Sequence, residues 1–137
     1  MNIIDANRKH IEAALEYSGG SHVFEDVRDG VLSGRMQIWP GRASVAITEI
    51  IEYPCKKVLH VFLAGGEMAE LVDMIDSAAI WGDAQGCTSI TMSGRRGWER
   101  VLGNHGFKPV MIVMERAING GRQGRIDNEQ GDGSGLA

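Results

Sequence analysis

The chain has 137 residues, 19 of them glycine, with 43% hydrophobic and 23% charged residues. This is the composition of one soluble globular domain; the glycines follow no three-residue period, which excludes collagen. Fourteen basic against 18 acidic residues give a net charge of -4, so no overall positive field gathers nucleic acid, and no nucleic-acid partner is expected.

The two cysteines, Cys55 and Cys87, have neither zinc-site spacing nor the pattern of a disulfide scaffold, and read as reduced thiols in or near the core, with no metal site. The N-terminus lacks a basic stretch followed by an apolar one. The longest apolar run, residues 58–64, contains His60 and is far shorter than the ~20 residues a membrane span needs. A cytoplasmic protein with no membrane association is expected.

In chain order, Asp5 reads as the N-cap of a first helix that carries Ile11, Ala14 and Leu15 on one face and ends at Gly19-Gly20. A second helix is predicted from Ser21 to Gly34, with Phe24, Val27 and Val31 as its stripe and Glu25 and Asp26 suited to its N-terminal dipole. The period then changes. Residues 36–39, 44–53 and 57–63 are rich in Val, Ile and aromatics and are separated by Pro40-Gly41 and Pro54, which predicts an antiparallel three-stranded meander. After Gly65-Gly66, Met68, Leu71, Val72, Ile75 and Ala79 recur at helical spacing up to about Gly86. Residues 87–92 then read as a strand, 97–105 as a helix with Trp98, Val101 and Leu102 inward, and 107–115 as a last strand. From Asn119 the chain is almost wholly polar or glycine, a flexible tail on a domain of residues 1–118.

The predicted order α-α-β-β-β-α-β-α-β describes an α/β (α+β) protein with one mixed sheet covered by helices on both faces. At the chain's end, Gly86-Cys87-Thr88-Ser89-Ile90-Thr91-Met92, Trp98-Glu99-Arg100-Val101-Leu102 and Gly106-Phe107-Lys108-Pro109-Val110 follow one another as strand, helix and Gly-Phe turn. With this order the chain resembles the GNAT superfamily of N-acetyltransferases over roughly residues 5–118. The combination of Thr48-Glu49-Ile50, Leu63-Ala64-Gly65-Gly66 and Gly94-Arg95-Arg96-Gly97 is most similar to small GNAT-like proteins of tailed phages and prophages.

The resemblance implies acetyl-CoA as cofactor, held at a Gln/Arg-x-x-Gly-x-Gly/Ala turn by backbone amides and a helix N-terminus, a chemistry shared by phosphate cradles generally. The matching segment here puts Gly65, Gly66, Glu67 and Met68 at the pyrophosphate, with Leu63 at the Gln/Arg position and Met68 at the last small one. Arg95 and Arg96 fall at the start of the next helix, where two cations oppose the dipole unless an acid such as Glu99 or a bound anion offsets them. Arg95 takes the place of the asparagine that contacts the pantetheine arm, and Leu102 that of the acid tyrosine.

Glu49 and His60 on the meander border the family's acceptor cleft and are the candidate bases. Glu52 differs from Glu49 in strand parity, so the two do not form a catalytic pair. His60 alternates with residues that leave both faces of its strand apolar, which also suits a hydrogen-bonded core histidine. Two functions follow. One is an acyl-CoA-dependent N-acetyltransferase acting on an amine-bearing small molecule or protein. The other is a non-catalytic GNAT-fold phage protein that meets phage structural proteins in virion assembly, as an interaction module, in the host cytoplasm or the virion. Either could oligomerise.

Overall fold

The computed structural model describes residues 2–121. Its helical N-terminus starts at Asn2, whose Oδ1 accepts from the Asp5 amide at 2.8 Å, and α1 (Ile3–Ala6) follows. Asn7 then donates from Nδ2 to the Ile3 carbonyl at 2.8 Å, a local bond that competes with helix propagation. The chain restarts as α2 (Arg8–Leu15). The single helix expected from Asp5 is therefore two. The next helix, α3 (Phe24–Leu32), begins at Phe24 rather than Ser21 because the Asp26 carboxylate accepts from the Val23 amide at 2.9 Å and makes Val23 the N-cap.

Strands β1 (Met36–Pro40), β2 (Ser44–Tyr53) and β3 (Lys56–Gly66) form the antiparallel meander. Helix α4 (Met68–Ala84) leads to β4 (Ser89–Met92), which pairs parallel to β3, and α5 (Arg96–Leu102) follows. The sheet order is β1-β2-β3-β4. Thr48 stands opposite Val61 and Ile47 opposite Leu63, so Phe62 is an extra residue in β3 without a partner on β2, a bulge that bends the strand.

Alternation along β2 sorts the core into two layers. Val45 and Ile47 join Ile4, Ile11, Leu15, Phe24 and Val27 under α1–α3. Ala46 joins Leu71, Ile75, Trp98 and Leu102 under α4 and α5. Each fully buried aliphatic side chain contributes about 1.5–3 kcal/mol. The fold is thus a mixed α/β sheet with helices on both faces, as the sequence predicts. Trp39 and Trp81 meet edge to face, 5.9 Å between centroids, and Trp39 Nε1 donates to Thr48 Oγ1 at 2.9 Å, which satisfies a buried hydroxyl.

Two expectations are corrected. Residues 107–115 do not form a strand: past the 3-10 turn Gly103–His105, Phe107 is tied to Leu102 by an amide-to-carbonyl bond of 3.2 Å, and the chain then leaves the body. Val110, Met111, Ile112, Val113 and Met114 are between 70% and 89% exposed. High β-propensity does not make a strand without a neighbour to pair with. Cys55 is exposed in the turn between β2 and β3, where Pro54 ends the pairing, and only Cys87 is buried. The tail expected from residue 119 lies, from residue 122 onward, outside the described residues.

Candidate active site at the splay of the central strands

Strands β3 and β4 pair from Val58 opposite Ser89 to Val61 opposite Met92. Past that point β3 runs on to Gly66, while β4 ends and the chain turns away through Ser93 and Gly94 into α5. The strands therefore part. The gap is a groove of about 610 Å³ walled by Phe62 to Gly66 on one side, Met92 to Arg95 and Trp98 on the other, and Ala13, Ala14 and Tyr17 near the end of α2.

His60 lines this groove, half-buried. Its Nδ1 is hydrogen-bonded to Thr91 Oγ1 at 2.9 Å, and its Nε2 lies 3.4 Å from Ser93 Oγ. Burial pushes the imidazole below its ordinary pKa, and the Glu49 carboxylate opposes that shift without reversing it. Glu49 is the residue directly opposite His60 in the β2–β3 register, so both side chains leave the same face. Glu49 itself lies outside the groove, in a shallow depression with Arg35, Gln37, Glu52 and Lys57.

Gly65 and Gly66 line the groove, and each has a packing reason to be glycine. A Cβ on Gly65 would stand 3.2 Å from the His10 carbonyl of α2. At Gly66, where φ is +119°, a Cβ would stand 2.3 Å from the Ala43 carbonyl oxygen. Glu67 is the exposed N-cap of α4 and makes no side-chain cap bond. Met68, 39% exposed, is the first helical residue; neither side chain lines the groove. The first helical bond runs from the Leu71 amide to the Glu67 carbonyl at 3.0 Å, so the amides of Met68, Ala69 and Glu70 have no acceptor within the helix.

Arg95, the N-cap of α5, lines the groove with its guanidinium 3.9 Å over the Tyr17 ring. This contact joins the two walls at the mouth; Arg96 is exposed and outside it. Sequence reasoning overlooked three participants. Tyr17 and Ser93 gave no local signal, being placed by the packing of α2 and by the end of β4. Glu70, in the first turn of α4, accepts from the Arg42 amide at 2.8 Å, the Ala43 amide at 2.9 Å and the Ser44 hydroxyl, and so pins the β1–β2 hairpin against α4 beside Gly66. Among the described residues no group of three or more His, Cys, Asp or Glu could hold a metal ion.

No protein-family model and no curated protein sequence matches the chain. Solved structures match most of it. A glucosamine-6-phosphate N-acetyltransferase from Arabidopsis thaliana is 13% identical with a TM-score of 0.59, over 86% of this chain and 95% of that one. An acetyltransferase from Trypanosoma brucei is 10% identical with a TM-score of 0.57, over 81% and 94%. The fold is the GNAT acetyltransferase fold. A Clostridium acetobutylicum protein, described as a predicted acetyltransferase with acetyl-CoA, is 11% identical with a TM-score of 0.60, over 84% and 88%. At these identities the likeness is one of GNAT architecture. No helix among the described residues is long and apolar enough to cross a membrane.

Proposed function

We propose that the groove between β3 and β4 binds an acyl-CoA and that the protein is an N-acetyltransferase acting on an amine of a small molecule or protein. The observation that carries this reading is the splay itself, an open groove with His60 within it and Arg95 at its mouth. The residues suit the cofactor. Phe62, Leu63, Met92 and Trp98 give apolar walls for a pantetheine arm. The amides of Gly65 to Met68, together with the uncapped N-terminus of α4 and the Arg95 guanidinium, offer positive charge for a pyrophosphate. When bound, acetyl-CoA supplies an activated thioester.

His60, kept neutral by burial, takes the acceptor amine's proton at Nε2, with Nδ1 held by Thr91 and the opposite Glu49 offsetting the charge that forms. Leu102 is 4% exposed and packed in the core, so it leaves no acid where the family's tyrosine stands; positioning of amine against thioester carries most of the rate. Calorimetric titration of the purified protein with acetyl-CoA tests this. Saturable heat and a thermal shift are expected; neither at millimolar ligand removes the reading.

The second reading is a non-catalytic GNAT-fold protein of the phage type, used in virion assembly or as an interaction module. The exposed acid Glu67 at the pyrophosphate turn and the buried Leu102 favour it. Co-purification with particles, without acetyl-CoA binding, would support it, and a protein always free of particles and dispensable for their formation would sink it.

A further inference from the structure

Several serines of this fold close local structural bonds: Ser18 and Ser33 donate to carbonyls three residues back, at 2.8 and 3.1 Å, and Ser44 donates to Glu70. Ser93 is placed differently. It is the first residue past β4, where the chain turns out of the sheet, and it stands exposed on the groove wall with its Oγ 3.4 Å from His60 Nε2.

The other side of the imidazole sets what Nε2 can do. Thr91 stands opposite His60 in the β3–β4 register, and its Oγ1 is bonded to the ring Nδ1 at 2.9 Å. With the Nδ1 hydrogen donated to Thr91, the Nε2 lone pair faces the Ser93 hydroxyl, which is the tautomer a general base needs. Glu49, opposite His60 across the β2–β3 pair, favours the imidazolium once it forms. A hydroxyl, an oriented imidazole and a carboxylate that stabilises its cation are the parts of an activated serine nucleophile. A separation of 3.4 Å is in the looser range such pairs show before substrate binds. The serine–histidine contact at Ser21 and His22, 2.7 Å from Oγ to Nδ1, joins adjacent residues and lies outside the groove.

We propose that the groove also hydrolyses acyl-CoA thioesters, with Ser93 as the nucleophile. The inference rests on the reading that acyl-CoA binds there. Ser93 Oγ attacks the thioester carbonyl carbon, His60 Nε2 takes the hydroxyl proton, and the carbon–sulfur bond breaks as that proton passes to the departing sulfur. The acyl group is left as an ester on Ser93, and CoA leaves as the free thiol. One imidazole serves both proton transfers, so the route needs no acid at the buried Leu102. Water then attacks the ester carbonyl and gives its proton to Nε2, which returns it to Ser93 Oγ as the carbon–oxygen bond to serine breaks. One acyl-CoA and one water become one carboxylic acid and one CoA. Amine transfer needs an acceptor, whereas this reaction needs only water.

The test mixes the full chain with acetyl-CoA and no amine, quenches in acid at early times, and measures the intact protein mass. One added acetyl group, mapped to Ser93 by peptide fragmentation, is expected, followed by release of acetate and CoA in equal amounts. Ser93→Ala should lose both the adduct and the acetate while still binding acetyl-CoA by calorimetry, and Ser93→Cys should regain an adduct as a thioester. His60→Asn should slow acylation by about 10²–10⁴. The proposal is overturned, with the transferase reading left in place, by acetyl-CoA that binds without acetate release, by acetyl groups mapped only to other residues, or by equal acetate release from Ser93→Ala. Absence of acetyl-CoA binding removes both.

Discussion

The Glu70 carboxylate in the first turn of α4 accepts a hydrogen bond from the fully buried Ser44 hydroxyl at the start of β2. The Ala43 and Arg42 amides bond the same carboxylate, and these three bonds, Ser44 first, hold its pKa below the ordinary value. The folded protein thus binds this proton only at lower pH than the unfolded chain does. The stabilisation is complete above the ordinary carboxylate range near pH 4.3 and is lost as pH falls through the depressed value. Glu70→Gln is expected to lower the melting midpoint by a few degrees at pH 7 and to flatten its decline below pH ~4.5. Thermal denaturation from pH 7 to 3 measures both.

His60 acts in a separate window. Burial disfavours its imidazolium more than Glu49 favours it, so below about pH 6.5 the unfolded chain binds more protons than the folded one. Stability is full above that pH and falls as pH drops through the depressed value. A His60→Asn variant should lose this dependence between pH 7 and 5, and an NMR titration of the His60 ring should place its midpoint below that of a free histidine. In an acetyl-transfer assay the same variant should lose about 10²–10⁴ in rate, together with the acid limb of the pH profile.

Gly66 and Gly65 separate two kinds of glycine. Alanine at 66 combines a left-handed φ with a Cβ driven into the Ala43 and Ser44 backbone, and is expected to cost about 2–4 kcal/mol. Alanine at 65 meets the His10 carbonyl at 3.2 Å and Ala14 at 3.4 Å, a crowding that a small shift of α2 relieves, at about 0.5–1 kcal/mol. Urea denaturation of the two variants compares them directly. Equal losses would remove the structural account of Gly66.

On the proposed binding of acetyl-CoA, Glu67 beside the groove and Arg95 within it are expected to act in opposite directions. A carboxylate about 5 Å from a phosphate repels it by roughly 3 kcal/mol at an effective dielectric of ~20, and solvent screening of the exposed Glu67 leaves a fraction of that. Glu67→Gln should therefore tighten binding severalfold. Arg95→Ala removes both the mouth cation and its stacking on Tyr17 and should weaken binding about tenfold. Raising salt should shrink both effects. Dissociation constants by calorimetry at two ionic strengths read them out.

Local periodicity and turn chemistry made the meander, α4 and the order of the later elements legible. Glu49 and His60 were legible as residues on adjacent strands. Their direct opposition was not, because the β2–β3 register is a property of two strands, and the bulge at Phe62 shifts it farther along. Arg95 was visible as a cation misplaced at a helix start, but its partner proved to be Tyr17 rather than Glu99, since 78 residues of chain separate two groups that only the packing of α2 against β3 brings together.

By itself the sequence determined the two apolar layers and the strands and helices that carry them, because burial of periodic apolar faces is decided within each segment. It also predicted a last strand over residues 107–115, which the structure does not form. Tertiary structure alone decided that this segment has no strand beside it among the described residues, that Gly66 is required by the backbone of Ser44, and that Glu70 turns toward a hairpin 28 residues away. Each of these depends on which surfaces end up adjacent, and adjacency between distant segments is set by the closing of the sheet and its helical layers.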